Sequence, residues 1–450
     1  MASVSQLFAS FGCNIEKVTV TRGRDPGIAR LKLAAVIEDE RMDMMVGRIR
    51  SLHHVLQVTP EQSRADKRAY WTVIYSLFVT VMGINIVSPL YGVYKEQLNL
   101  TSGMITLIFA VCPFLVIPSI VCFGQLCDRI GPKKILIAGI IAAMSGSVCF
   151  AFADSLSALL LARALQGISS GMINGAAVAA LNGLRGVRDR HKAGYAAAIA
   201  VTAGNALGPV LSGTLAEFAP ISTKTSILAH SLLSLPGLVG LLFFVMRSET
   251  AHSRRLHWPA VPTGIRAVFV TASMTSFITW GVISMYMSII PSSMNEWIGR
   301  SSFFISGVSA ALAHGVSAVS QLMFRSVSPL RTVIAGFTFL FLGLWAMAGT
   351  LAFHSIGLLL VSTVCVGLGH GPLYAASLAA VNMRAPDKSR SDMVSLFYVM
   401  TYMGVALPVL GLGFMAQWTG LPAANAVFVG VMECLIVIGA VCWIKLYRRN

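Results

Sequence analysis

From Tyr70 onward, apolar stretches of roughly 20 residues alternate with short polar breaks. A helix needs about 20 apolar residues to cross a bilayer. The pattern therefore predicts twelve membrane-spanning helices, at approximately 69–91, 103–123, 135–153, 158–181, 193–215, 225–246, 266–290, 302–323, 332–353, 356–381, 393–416 and 423–445. Gly and Pro inside these stretches do not contradict the assignment, because membrane helices satisfy the freed backbone groups through their neighbours. Residues before 69 follow other rules. Val18 to Thr21 alternates, Ile28 to Ile37 is strand-like, and Met42, Met45, Val46, Ile49 and Leu52 recur at helical spacing. The order predicted there is helix, strand, hairpin, strand, helix, short strand.

Composition sharpens this picture. A length of 450 residues suggests about three soluble domains, yet 56% of the residues are hydrophobic and only 12% are charged. Soluble proteins carry about 25% charged residues. So few charges cannot cover a water-facing surface, which excludes a disordered chain, a coiled coil and an ordinary globular enzyme; no catalytic residues are assigned. The net charge of +16 raises nucleic acid as a partner, and the placement of the charges answers it. Residues 1–68 hold 11 basic and 8 acidic residues and are close to balanced. If that segment is cytoplasmic, the breaks after even-numbered spans and the C-terminus are cytoplasmic too. Together those breaks carry 19 Lys and Arg against three (Lys95, Lys224 and Arg300) in the outer breaks. That bias obeys the positive-inside rule. The charge is a topology signal, the partner is the lipid bilayer and not nucleic acid, and the protein is expected in the cell membrane with both termini cytoplasmic. The first residues include Glu16 and Asp25 and lack a short apolar core, so no cleavable signal peptide is expected. Of the eight Cys, those at 112, 122, 149, 365, 434 and 442 fall in the predicted helices without metal-ligand spacing. They read as packing residues, and no metal or cofactor is expected.

The chain also repeats itself at a spacing of 200 residues. Gly167-Ile-Ser-Ser-Gly171 faces Gly367-Leu-Gly-His-Gly371, and Ala179 to Asn182 faces Ala379 to Asn382. Gly204, Ala206, Leu207 and Gly213 face Gly404, Ala406, Leu407 and Gly413 in the same register. One register across two helices and a loop predicts two six-helix halves, 69–246 and 266–450, joined by a cytoplasmic stretch at 247–265. Transporters built this way place the substrate site near mid-membrane between repeats.

Between spans two and three runs Gly124-Gln-Leu-Cys-Asp128-Arg129-Ile-Gly131-Pro132-Lys133-Lys134. Gly131 allows a tight turn, and Asp128 can pair with a neighbouring Arg or cap a helix N-terminus. This stretch resembles the cytoplasmic loop motif of the major facilitator superfamily, with every defined position filled. Span four carries Leu159-x3-Arg163-x2-Gln166-Gly167, similar to that family's helix-four motif. Span five carries Gly204-x3-Gly208-Pro209-x3-Gly213, which resembles the motif of proton-linked drug antiporters, with Ser212 in place of the first of two closing glycines. Gly204, Gly208 and Gly213 would give a smooth packing face and Pro209 a kink. Gly83-x5-Pro89 in span one and the short central joint are in keeping with twelve-helix efflux members. The resemblance covers residues 69–450 and implies an all-α membrane fold of two rocking six-helix halves, with the loop as a latch. The second half keeps only a degraded loop copy, Gln321 to Arg331, with Phe324 where an acid would stand.

Ionisable residues inside spans are costly and are functional candidates by default. Arg163 is one, as proton relay, anion contact or an arginine reaching the outer headgroups. Glu433 in span twelve, and His314 and His370 in spans eight and ten, are candidates for proton or substrate coupling; His titrates in the physiological range. His370 sits opposite Ser170 in the repeat; His230 is a weaker candidate. Polar and aromatic residues expected to line the cavity are Asn85, Tyr91, Asn174, Asn205, Trp280, Tyr286, Tyr374, Tyr398 and Tyr402. The stretch 69–91 holds no acid, so a neutral or anionic solute is at least as plausible as a cationic one. Two transport readings follow: proton-coupled efflux of a small organic solute, and proton symport of an organic anion or metabolite.

Residues Phe11 to Val20 and Asp25 to Arg30 resemble the ACT domain of the acetolactate synthase regulatory subunit, a ferredoxin-like α+β fold that binds a branched-chain amino acid. The match is best at Gly12-Cys-Asn-Ile-Glu16. The first strand of that domain and the loop over its ligand have no counterpart here. Residues 1–64 thus read as an incomplete ACT-like segment: a fusion remnant, a domain whose start lies upstream, or one that a partner chain completes. The corresponding function of another class is amino-acid sensing through these residues.

Overall fold

The computed structural model describes the chain except residues 1, 12, 14, 23–28, 36–38, 53–54, 56–63, 186–189, 219–222, 244–260, 292–301, 387–389 and 450, and the side chains of some further residues, Asp128 among them. The chain divides into two units, Met1–Arg64 and Ala65–Asn450.

In the smaller unit, a helix (Ala2–Ser10) precedes two antiparallel strands (Ile15–Arg22 and Ala29–Ala35) and a second helix (Asp39–Arg50). The strands pair from Ile15 with Ala35 to Arg22 with Ala29. Val4, Phe8 and Met45 form the small buried core. The expected ferredoxin-like order is therefore corrected for the described residues: they form one two-stranded sheet, and the short closing strand falls mostly outside them. Two strands with one apolar face cannot hide the backbone groups that a central first strand would satisfy, which is why the ACT-like reading finds no support in the fold.

Among its described residues the larger unit has twelve helices long and apolar enough to cross a membrane: Lys67–Gln97, Ser102–Cys127, Pro132–Ala151, Leu156–Leu181, Ala196–Phe218, Lys224–Phe243, Thr263–Pro291, Phe303–Ser326, Pro329–Phe353, Ile356–Arg384, Met393–Thr419 and Leu421–Arg448, here spans one to twelve. Twenty residues at 1.5 Å rise reach about 30 Å, the thickness of the hydrocarbon core. Polar residues set the ends. Thr101, Ser302 and Ser355 accept from the backbone N–H three residues on, at 3.2, 3.1 and 3.4 Å, capping spans two, eight and ten. Gly131, at φ 86°, closes span two and turns the chain into span three. Span one is broken between Asn85 and Ser88, ahead of Pro89, and resumes at Tyr91–Gln97.

The 200-residue repeat has a spatial counterpart. A Cβ built on Gly204 of span five would lie 2.7 Å from the Phe78 carbonyl oxygen of span one, and one on Gly404 of span eleven 2.5 Å from that of Phe277 in span seven. Matched glycines thus bring matched helices to backbone contact in each half. Between halves, spans two and eleven pack together, as do spans five and eight. Most of the joint expected at 247–265 lies outside the described residues, which resume with a short turn at Thr263–Ile265.

Candidate functional site

The charged and amide groups buried in the first half are bonded to their neighbours. Arg163 is 2% exposed. Its guanidinium donates to the carbonyls of Ile84 (2.8 Å), Ile108 (3.3 Å) and Phe109 (3.5 Å) and to Gln166 Oε1 (2.8 Å), and it lies 5.8 Å from the Phe109 ring centre. The acceptors exist for local reasons. Pro113 has no N–H to offer the Phe109 carbonyl four residues earlier, and Ile84 belongs to the last turn before the break in span one, whose carbonyls have no helical donor. Arg163 therefore joins spans one, two and four, and does not reach outward to headgroups. Gln166 continues the network to Gly83 O at 3.4 Å, and Tyr91 adjoins Arg163. His230 is buried and fully engaged, with Ser147 Oγ at 2.7 Å, Val79 O at 3.0 Å and Ser234 Oγ at 3.3 Å. A Cβ on Gly83 would fall 2.1 Å from its Nε2. Gly83 thus makes room for His230, a pairing that no local sequence pattern announces. Asn85 donates to Asn205 Oδ1 at 2.8 Å, and Asn174 turns back onto Ser170, its amide nitrogen 2.9 Å from the carbonyl and 3.0 Å from the hydroxyl.

The second half differs. Trp280 of span seven, His314 of span eight, and His370 and Tyr374 of span ten gather in one cluster. Trp280 stands edge-on to His370 at 4.9 Å and to Tyr374 at 5.6 Å between ring centres. His314 lies 6.2 Å from Trp280 and 6.4 Å from His370, and His370 stacks on Tyr374 at 5.9 Å and 15°. Ser317 Oγ is 2.8 Å from His370 Nδ1. His370 Nε2 and Trp280 Nε1 are enclosed and have no hydrogen-bond partner. Tyr374 continues through Phe397, at 6.0 Å, to Tyr398, and Tyr402 adjoins Ser170 of the first half. A narrow gap between halves is lined by Ile117, Ile120 and Val121 of span two and by Tyr398 and Tyr402 of span eleven. Tyr286 stands apart, buried in the core and bonded to Ser362. Glu433 is also separate. Both its carboxylate oxygens are enclosed and unpartnered, as is Asn425 Oδ1 two turns earlier on span twelve.

At the end away from the basic loops, two repeat-related polar contacts cross between halves. Glu217, closing span five, accepts from the backbone N–H of Phe303 (2.8 Å) and Phe304 (3.4 Å) and from Ser302 Oγ (3.3 Å), at the start of span eight. Gln417, closing span eleven, donates to Thr101, the cap of span two. Glu217 and Gln417 are 200 residues apart, so the repeat register that sequence reading applied to glycines also pairs these two. Below them, a Cβ on Gly213 would meet Phe303 O at 2.4 Å, and one on Gly413 would meet Thr106 Oγ1 at 2.0 Å. Gly208 packs on Met82 O of span one, while Pro209 puts its carbonyl against Gly307. Ser88 bonds the Met287 carbonyl between spans one and seven.

At the basic end, Arg129 and Lys134 are exposed, and Lys133 Nζ donates to Leu242 O at the end of span six at 3.0 Å. Gly124 has open space where a Cβ would stand. The side chain of Asp128 lies outside the described residues. In the second half, the segment matching this loop forms a short 3-10 turn at Phe324–Ser326.

Residues 73–348 match the Major Facilitator Superfamily. Among characterised proteins, the chain is 27% identical over 187 residues to the quinolone resistance protein NorA of Staphylococcus aureus, covering 40% of this chain and 45% of that protein. It is 27% identical over 157 residues to multidrug resistance protein 2 of Bacillus subtilis, 34% and 38% of the two chains. These alignments span less than half the length of the relatives they match. Among solved structures, a bacterial homologue of the human lysosomal transporter Spinster, inward-facing and unoccupied, superposes with a TM-score of 0.66 at 12% identity, covering 86% of this chain and 99% of that one. A POT family transporter in complex with 5-aminolevulinic acid gives 0.70 at 14% identity, covering 83% and 95%. At those identities the structures share the fold. With twelve spans in two repeated halves and a match across more than half of its length, this chain is a multi-pass membrane protein that belongs to the major facilitator superfamily, a family of transporters rather than enzymes.

Proposed function

We propose that the chain is a secondary active transporter that exports a small organic solute across the cell membrane by alternating access, coupled to protons moving inward. The observation that carries this reading is the arrangement at the end opposite the basic loops. Two repeat-related helix pairs meet there across the halves through glycine contacts and two polar caps. Contacts of that kind hold one end shut and are few enough to break when the halves rock. The 19-to-3 distribution of basic residues supports an external closed end and cytoplasmic termini. Similarity to two proteins named for drug resistance favours efflux.

In this reading His370, His314 and Glu433 are the proton and solute groups, because they are titratable, lie within spans and leave polar atoms open or close together. Arg163 fixes the geometry of spans one, two and four. The loop Gly124 to Lys134 latches the cytoplasmic end, so Asp128→Asn should impair flux at normal protein level. Proteoliposomes holding the full chain should accumulate or lose a solute faster with a pH gradient than without one, and His370→Ala should abolish the difference. Flux indifferent to the gradient in the wild type overturns proton coupling. The open donors in the second half also favour a second reading, proton symport of an organic anion, which the same assay separates by the direction of solute movement. Residues 1–64 carry no such observation for amino-acid sensing among the described residues.

A further inference from the structure

The transporter reading leaves the solute's chemistry open, and the second half narrows it. Trp280 Nε1 and His370 Nε2 are the two enclosed cluster atoms without partners among the described residues, and they belong to rings 4.9 Å apart. An indole N–H can only donate. The role of His370 follows from Ser317. Its hydroxyl has one partner among the described residues, His370 Nδ1 at 2.8 Å, while the Ser317 carbonyl is taken by Ser320. In the tautomer we assign, Ser317 donates to Nδ1, which gives the serine hydrogen its one acceptor and leaves the ring hydrogen on Nε2. Two N–H donors on rings in edge-on contact, one on a residue 3% exposed, then lack an acceptor among the described residues. Neither can satisfy the other, since both are donors.

The surroundings restrict what can. Spans seven, eight and ten contain no Asp or Glu, so the helices that carry the cluster supply no counter-charge to an organic cation. The walls are flat: Tyr374 stacks on His370, and Trp280 meets both edge-on. Aromatic rings prefer such offset or edge-on partners over aliphatic ones of the same area.

We propose that Trp280 and His370 form the recognition site for an aryl carboxylate or aryl carbonyl solute, whose oxygen accepts from both N–H groups while its ring packs against Tyr374. The site rests on the reading of the chain as a transporter. It accounts for two buried donors that a merely structural cluster would leave unsatisfied, and for the contrast with Arg163, whose donors are all engaged.

The test uses the full chain in lipid nanodiscs with radiolabelled benzoate, and unlabelled cyclohexanecarboxylate and benzylamine as competitors. Benzoate should bind, cyclohexanecarboxylate should compete more weakly, and benzylamine should not compete. Trp280→Phe keeps the ring and removes the donor, and should weaken benzoate binding about tenfold, the scale of one hydrogen bond to a charged group. His370→Gln, which retains a donor, should bind benzoate better than His370→Ala. Unchanged benzoate affinity in Trp280→Phe and His370→Ala, absence of benzoate binding to the wild type, or stronger competition by benzylamine than by cyclohexanecarboxylate overturns the proposal. The two readings fail separately. Proteoliposomes that move no solute although benzoate binds as expected would sink the transporter and leave the site. Flux of aryl acids untouched by Trp280→Phe would sink the site and leave the transporter.

Discussion

Spans four and ten are the same helix by repeat register, yet they handle polar groups in opposite ways. Span four places Arg163 and Gln166 where span ten has Thr363 and Val366. The arginine and glutamine bind carbonyls freed by Pro113 and by the break in span one, and neither is left with an open donor system. One turn further along, Ser170 of span four accepts from Asn174, whereas His370 of span ten keeps a ring nitrogen open beside Trp280. At these positions the duplicated scaffold has diverged: the first half spends its arginine and glutamine on carbonyls, while the second keeps two ring nitrogens open, although hydroxyls of Thr80, Ser212 and Ser226 in the first half also lack partners among the described residues. Rigidity and recognition are divided between them.

The sharpest way to break this division is at Arg163. Arg163→Leu strands the Ile84 and Phe109 carbonyl oxygens and Gln166 Oε1 in a buried site, and each unsatisfied buried group costs about 1–3 kcal/mol. The expected outcome is a loss on the order of 3 kcal/mol, read as a large drop in thermal stability of the purified protein. Arg163→Lys should recover only part of it, because an ammonium group cannot reach three helices with a planar fork. If Trp280→Phe instead proves as damaging to stability as Arg163→Leu, the division of labour is wrong.

A smaller effect is expected where the halves meet. Gly213→Ala puts a methyl against the Phe303 backbone carbonyl, and Gly413→Ala puts one against the Thr106 side chain. Overpacking of this kind costs about 1–3 kcal/mol. The two differ in their remedy: Thr106→Ala should restore Gly413→Ala, since the obstacle is a side chain, while no side-chain trim can restore Gly213→Ala. Labelling by a membrane-impermeant maleimide at a cysteine introduced at Ala216 would report the opening of this end.

Those glycines were legible in the sequence, and so was nearly all of the membrane fold. Twelve apolar stretches became twelve helices, because length and hydropathy are local properties that the bilayer enforces. The 200-residue register announced which helices would correspond. What sequence could not supply was who meets whom across the bundle. His230 ranked low on position alone, yet it fills the space above Gly83 and takes three partners. Tyr286 was expected to line a cavity and is spent on Ser362 in the core. Glu217 drew no attention because an acid near a loop is ordinary, and its partners are backbone N–H groups, which have no sequence signature. At the N-terminus the local pattern gives helix, strand, strand and helix as the structure has them, but the family likeness of Phe11 to Val20 and Asp25 to Arg30 does not extend to a ferredoxin-like sheet.

The smallest expected effect is also the most specific to the repeat. Glu217 and Gln417 occupy equivalent positions, and each engages the first turn of a helix in the other half. One contact carries a charge and the other does not. An anion at a helix N-terminus is worth about 0.3–1 kcal/mol at low salt and is screened as salt rises. Glu217→Gln makes the first contact resemble the second, so opening at this end should rise about two- to fivefold at low ionic strength. The increase should vanish in molar salt, where the carboxylate has already lost its advantage. Gln417→Glu should do the reverse, and lend salt sensitivity to the Thr101 side. If Glu217→Gln raises opening equally at all salt concentrations, the carboxylate acts through hydrogen-bond geometry rather than charge, and the two ends of the repeat are closer in mechanism than their residues suggest.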